Sequence, residues 1–224
     1  MHIITQDIIE TFKREENKER AVQMKDYMRG QFEYFGLISP LRKELSKVYL
    51  REVPKEGRET VYQIIKELWE QEFRETHYLA QELFLKVAKK LLVKEDLVFI
   101  NYMILTHSWW DTIDFIAPKI CKIYFEEFPE KRDEWIGFCI TSENIWLQRA
   151  SLLLHLKQKE DVDFECMFST ILRLNHTKEF FLNKAIGWLL REYSKKHPQL
   201  IENFIEENKE SLSNLSIREG SKYL

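Results

Sequence analysis

Apolar side chains recur along the chain at spacings of three and four residues, starting near Thr5 and continuing through segment after segment. This period matches the turn of an amphipathic helix and differs from the alternation of a strand. Ser39 followed by Pro40 predicts an N-cap and a first helical residue, and residues 54–57 predict a loop. The predicted helices span residues 5–14, 18–34, 40–50, 58–70, 73–90, 94–106, 109–126, 130–140, 143–158, 163–173, 178–195 and 198–208.

The amino-acid composition also favours a fold built from helices. The 224 residues are 44% apolar and contain only six Gly and five Pro, too few turn residues for a protein built from many strands. The chain is long enough for one substantial core. We therefore predict an all-α fold in which residues 1–224 form a single domain.

The chain lacks features of export or membrane insertion. No apolar run approaches the roughly 20 residues that span a bilayer, and Asp7 and Glu10 stand where a secretory signal would be basic and then apolar. The cysteines Cys121, Cys139 and Cys166 are odd in number and lack metal-ligand spacing, which predicts reduced core thiols. We expect a cytoplasmic protein without a membrane partner, a metal or an organic cofactor.

Tryptophan recurs at steps of about 40 residues, the period of HEAT-like helical pairs. The recurring residues are Trp69, Trp110, Trp146 and Trp188. Arg149 and Arg191 each follow a tryptophan by three residues and so share its helix face. In a solenoid, equivalent faces line up into one concave surface, which predicts a groove for an anionic partner. The alternative for any single tryptophan is an ordinary core residue.

Charge is the main objection to a nucleic-acid partner. The formal net charge is -3, whereas a polyanion is usually met by a basic surface. Basic residues nevertheless concentrate between 149 and 196, and acidic residues between 126–134 and 202–210. The overall charge is therefore compatible with one basic face.

Residues 106–114 carry the candidate chemistry. Ser108 and Asp111 have the spacing of a capping box, which predicts a structural role for Asp111. Asp114 lies four residues after Trp110, so its carboxylate is expected beside the indole, where the pair could stabilise a cation. An equally supported alternative is a salt bridge from Asp114 to Lys119, Lys122 or Arg149.

Several blocks of sequence, in their order and over nearly the whole chain, resemble the AlkD-type alkylpurine DNA glycosylases. They are residues 27–36, 40–42, 67–69, 108–114, 142–150 and 178–195. The resemblance implies a right-handed superhelix of HEAT-like repeats with duplex DNA in its concave groove. It also implies hydrolytic release of cationic N3- and N7-alkylated purines, such as 3-methyladenine and 7-methylguanine, in base excision repair and without base flipping.

The resemblance also implies roles for individual residues. Asp114 corresponds to the catalytic aspartate, Trp110 and Trp188 to the sugar-contacting tryptophans, and Arg149 to a phosphate-binding arginine. Other expected DNA contacts are Tyr27, Lys157, Arg191 and Lys195. We expect the protein to act as a monomer on alkylated double-stranded DNA.

Two positions depart from the family pattern. Ile38 stands where some active relatives have a polar residue, and Gly220 stands where Ala is expected, which predicts a shortened last helix. A Schiff-base role for Lys184 is not expected, because it lies among other surface basic residues. The competing hypothesis is a helical-repeat scaffold that holds DNA or an acidic protein without catalysis.

Overall fold

The computed structural model describes residues 1–158 and 162–224. Within these ranges the chain forms α-helices joined by short turns, and the pairing of strands is limited to one isolated bridge between Glu33 and Phe73. The α-helices are α1 Ile3–Arg14, α2 Lys18–Tyr27, α3 Ser39–Glu52, α4 Arg58–Trp69, α5 Arg74–Leu91, α6 Asp96–Leu105, α7 Trp110–Phe115, α8 Lys122–Glu127, α9 Arg132–Thr141, α10 Ile145–Leu153, α11 Phe164–Leu174, α12 Phe180–Ser194, α13 Pro198–Glu207 and α14 Asn214–Gly220. The all-α prediction is confirmed.

The helices form two compact units, residues 1–93 and 94–224. In the first unit, α4 packs against α5, and α1 packs on α3 and α4. In the second unit, α10 contacts α6, α7, α9, α11 and α12, and α12 in turn contacts α13 and α14. Helices α10 and α12 therefore lie at the centre of the second unit. The prediction of one domain over residues 1–224 with a concave groove stays a prediction.

The second helix ends earlier than its sequence pattern indicates. Helix α2 stops at Tyr27, whereas the prediction extended to residue 34. Gly30 and Gly36 have φ angles of 73° and 85°, and a Cβ added at Gly36 would lie 2.1 Å from the backbone oxygen of Asn17. The buried carboxylate of Glu75 accepts hydrogen bonds from the backbone amides of residues 35–37. A distant side chain thus satisfies the amides of the non-helical segment that follows α2.

The helix predicted over 109–126 is a continuous helical run with an irregular centre. Residues 116–121 between α7 and α8 form a π-helical turn. Pro118 lies inside this turn and has no N–H to donate, so it cannot make a regular α-helical hydrogen bond there. Such turns are frequent at functional sites, and this one directly follows the helix that carries Asp114.

Three further predictions need correction. The helix predicted over 143–158 ends at Leu153. Helix α3 begins at Ser39 and has Ile38 in the cap position without a side-chain hydrogen bond, so Ser39 is not the N-cap. Helix α14, absent from the predicted set, is capped by Ser213 and retains Gly220 as its last residue, where the glycine is buried rather than a cause of shortening.

The predicted core thiols are confirmed for Cys121 and Cys139, which are buried, while Cys166 is only partly buried. Trp69 has no exposed surface, and its ring packs 5.2 Å from that of His77. It is therefore a core residue of the first unit and not part of an exposed tryptophan series. No helix among the described residues is both long and apolar enough to cross a membrane.

Candidate functional site

An ion pair between Asp114 on α7 and Arg149 on α10 forms the centre of the candidate site. The Nε and Nη2 groups of Arg149 donate hydrogen bonds of 3.0 and 2.7 Å, and both end on Oδ1 of Asp114. Lys119 instead lies over the ring of Phe115, and Lys122 pairs with Glu126. Of the three cations considered as salt-bridge partners of Asp114, Arg149 is the one that pairs with it in the structure.

The two oxygens of Asp114 differ in their surroundings. Within the described ranges, Oδ2 accepts no hydrogen bond, and the side chain keeps 22% of its surface exposed. Arg149 is only 3% exposed. The arrangement is therefore a buried cation that holds one carboxylate oxygen and leaves the other oxygen accessible.

A third hydrogen bond fixes the guanidinium. Nη1 of Arg149 donates to the backbone carbonyl of Phe181 in the first turn of α12. Three of the five guanidinium N–H groups are thus engaged, and they connect α10 to both α7 and α12. This network positions the Asp114 carboxylate relative to α12, the helix that carries Trp188.

The environment shifts the acidity of Asp114. Burial raises the pKa of this carboxyl above its ordinary value of 3.8, and the Arg149 cation opposes the shift, while the nearby Asp111 charge adds to it. The three effects identify Asp114 as a carboxylate whose negative charge is kept at a desolvation cost. Such perturbed groups are concentrated at functional sites.

The two tryptophans expected at the sugar occupy suitable helix positions. Trp110 is the first residue of α7 and precedes Asp114 by four residues, so both lie on one helix face. Trp188 lies seven residues after Phe181, which places it on the same face of α12 about 10 Å further along the axis. Both residues are partly exposed.

An aromatic cluster lies beside these residues and was missed by the sequence reasoning. The ring centroids of Trp109 and Trp146 are 5.5 Å apart, and Phe181 lies 5.4 Å from Trp109 and 5.1 Å from Trp146. Trp146 therefore packs against neighbouring rings. The adjacent tryptophans at 109 and 110 were the available signal, but the sequence did not show that the first of them makes this cluster.

The capping-box prediction for Ser108 and Asp111 is wrong. The Ser108 hydroxyl donates back to the carbonyl of Ile104, and the cap residue of α7 is Trp109, which makes no side-chain capping bond. Asp111 remains in the first turn of α7, where a negative charge is favoured by the helix dipole.

The predicted basic DNA contacts have varied surroundings. Lys157 is exposed, has a φ of 59°, and accepts a hydrogen bond from Lys122 through its carbonyl. Arg191 pairs with Glu219 at 2.9 Å. The ammonium of Lys195 lies 4.6 Å above the ring of Tyr223. These three cations belong to the second unit.

Tyr27, the expected aromatic contact to the opposite strand, belongs to the first unit. It is the last residue of α2, and 73% of its surface is exposed. Ile38 follows at the far end of the non-helical segment and is 46% exposed. The segment organised by Glu75 thus separates two exposed side chains of the first unit.

Comparisons with known proteins agree with this architecture. A predicted DNA alkylation repair enzyme from Enterococcus faecalis has a solved structure that is 33% identical, with a TM-score of 0.85 over 93% of this chain and 96% of that one. AlkD2 from Streptococcus mutans is 21% identical, with a TM-score of 0.63 over 84% of this chain and 92% of its own. The latter likeness shows the helical-repeat fold alone.

The sequence comparison gives the family directly. No curated protein matches the chain. The family model described as DNA alkylation repair enzyme matches residues 8–224, which include every helix that carries a candidate site residue. Together with the Enterococcus faecalis structure, this match covers nearly the whole chain. The chain belongs to the DNA alkylation repair enzyme family.

Proposed function

We propose that this family member is a monofunctional DNA glycosylase that hydrolyses the N-glycosidic bond of cationic N3- or N7-alkylated purines in duplex DNA. The observation that carries the proposal is the Asp114 carboxylate, held through Oδ1 by buried Arg149 while Oδ2 stays free among the described residues. A positioned anion with one accessible oxygen suits a reaction that develops positive charge.

An alkylated purine already carries a positive charge and leaves without protonation by a general acid. The bond between C1′ and the purine nitrogen breaks, and its electron pair neutralises the departing base. The deoxyribose becomes an oxocarbenium ion, which the Asp114 anion and the electron-rich faces of Trp110 and Trp188 stabilise. A water molecule then forms the new bond to C1′ and releases its proton, with Asp114 as its orienting or accepting group.

Arg149 has two roles in this proposal. Its contacts with Asp114 and the Phe181 carbonyl fix the carboxylate, and in this proposal its two other N–H groups, on a side chain only 4% exposed, meet a backbone phosphate. Lys157, Arg191, Lys195 and Tyr27 add contacts that hold the duplex without reading the lesion. In this proposal the base stays in the duplex and is not flipped into a pocket, as the resemblance to the AlkD-type glycosylases implies.

The test is release of 7-methylguanine from methylated duplex DNA by the purified protein. Asp114→Asn should lower the single-turnover rate by roughly two orders of magnitude or more, since it removes the charge that stabilises the transition state. Its affinity for undamaged duplex should stay within about twofold of wild type. Asp111→Asn is the matched control, because it removes a carboxylate from the same helix face and should keep most of the activity.

Arg149→Ala separates its two roles. If Arg149 anchors Asp114, the substitution should lower the excision rate. If Arg149 contacts a phosphate, the substitution should weaken binding to damaged and undamaged duplexes alike. If wild type binds duplex DNA and releases no alkylated base, the glycosylase proposal fails and the non-catalytic binding scaffold takes its place.

A further inference from the structure

One buried carboxylate in the second unit gathers three cations. Glu219 on α14 is 6% exposed, and its oxygens lie 3.1 Å from Nζ of Lys184, 2.9 Å from Nη1 of Arg191 and 3.0 Å from Nζ of Lys222. These three side chains are themselves partly exposed. A single anion beneath three cations leaves a local charge of about +2 facing outward.

Two glycines let Glu219 reach this position. A Cβ added at Gly187 on α12 would lie 2.6 Å from the Cβ of Glu219, and one added at Gly220 would lie 2.9 Å from the Cβ of Leu190. Helices α12 and α14 therefore approach more closely than side chains at these positions would allow. The close approach places the carboxylate directly against the turn of α12 that precedes Trp188.

Two of the cations that Glu219 holds flank Trp188 on α12. Lys184 precedes Trp188 by four residues and Arg191 follows it by three, so all three side chains share one face of α12. Lys195 continues the same face, with its ammonium over the ring of Tyr223. The carboxyl-terminal segment thus supplies both the anion and the ring that restrain cations on either side of Trp188.

This arrangement suits phosphodiesters rather than a neutral ligand. Three clustered cations would repel one another without a counter-charge, and the buried anion holds them in fixed positions while their exposed sides stay free to meet oxygens. Pre-arranged cations lose less side-chain entropy on binding. Phosphates flanking a nucleotide at Trp188 would meet cations that are already in place.

We propose that Lys184, Arg191 and Lys222 form one phosphate-binding unit of the DNA-contacting face, and that Glu219 is its positioning residue. This inference rests on the proposed function for the identity of its ligand. Lys184 and Lys222 then become direct DNA contacts, and Glu219 acts through them without touching DNA.

The test measures affinity for an undamaged duplex between 50 and 200 mM salt. Lys184→Ala and Lys222→Ala should each reduce the slope of log affinity against log salt by about 0.9, which is roughly a 3.5-fold smaller loss of affinity over this range. Lys209→Ala is the matched control, because Lys209 also pairs with a carboxylate, Glu206, but lies in a different helix–turn region. It should leave the slope unchanged.

Glu219→Gln tests the positioning role. If Glu219 only neutralised the cations, its substitution would tighten DNA binding and steepen the salt slope. A positioning residue predicts the reverse, with weaker binding and a shallower slope despite the added net positive charge. Tighter binding with a steeper slope would overturn the proposal for Glu219, and thermal unfolding checks that the variant is folded.

The outcomes separate this inference from the glycosylase proposal. If the lysine variants change the salt slope while wild type releases no base, the phosphate-binding unit stands and the glycosylase proposal fails. If wild type releases base and both lysine variants keep the wild-type slope, the phosphate-binding unit alone is refuted. Should Glu219→Gln fail to fold, the variants of the partly exposed Lys184 and Lys222 still test the phosphate-binding unit.

Discussion

The packing of α12 against α14 gives a stability prediction whose sign opposes helix propensity. Replacing Gly187 by Ala within a helix should by itself stabilise the protein by up to about 1 kcal/mol. The new Cβ, however, would lie 2.6 Å from the Cβ of Glu219 and 3.1 Å from the carbonyl oxygen of Ser216. Neither atom can rotate away, so the overpacking cost belongs to the range of about 1–3 kcal/mol. Subtracting the propensity gain leaves a net destabilisation of up to about 2 kcal/mol.

Gly137 on α9 provides the matched control, since it lies inside a helix of the same unit and an added Cβ there meets no described atom within 4 Å. Gly137→Ala should therefore stabilise by up to about 1 kcal/mol. In thermal unfolding followed by circular dichroism, the Gly187 variant should melt below wild type by up to about 8 °C, and the Gly137 variant above it by up to about 4 °C. Stabilisation by both substitutions would refute the close approach of α12 and α14.

Two further predictions concern pH. Burial, and to a lesser extent Asp111, raises the pKa of Asp114 above 3.8 against the opposing Arg149 cation. The acid limb of the pH–rate profile for excision should therefore lie above pH 3.8. The Asp111→Asn variant should move this limb to lower pH, because it removes one of the charges that raise the pKa. Hydrogen bonds from Lys222 and Lys184 lower the pKa of Glu219 from 4.5 to about 2, so its stabilisation is complete above pH 4.5 and is lost as the pH falls toward 2. Urea unfolding of wild type and Glu219→Gln should differ most at neutral pH and converge near pH 2; a constant difference would contradict the assignment.

Local sequence was sufficient for most helices, because an apolar stripe of period 3.6 is encoded within each segment. It was insufficient where a distant residue decides the outcome. Helix α2 stops at Tyr27, just before Arg29 and Gly30 take positive φ angles. The segment beyond it is held by Glu75, forty residues from the first amide it binds, and no property of residues 28–34 reveals that partner. Trp69 illustrates the same limit, since periodic spacing does not distinguish a core tryptophan from an exposed one.

The candidate site was likewise predictable only in part. The spacing of Trp110 and Asp114 follows from helix geometry, and Arg149 was one of three possible partners of the carboxylate. Selecting Arg149 required the packing of α7 on α10, which sequence spacing does not specify. Glu219 was missed for a similar reason, since two of its three cations, Lys184 and Arg191, lie about thirty residues earlier in the chain.

The third hydrogen bond of Arg149 ends on a main-chain oxygen rather than on a side chain. Every amino acid carries that oxygen, so any replacement of Phe181 that keeps the first turn of α12 also keeps the anchor. Any residue at this position would therefore restrain the guanidinium in the same way, and the packing of the Phe181 ring against Trp109 and Trp146 is a separate constraint. Adding or removing one residue before α12 would displace this oxygen. The anchor therefore depends on the length of the connection before α12 and not on its composition.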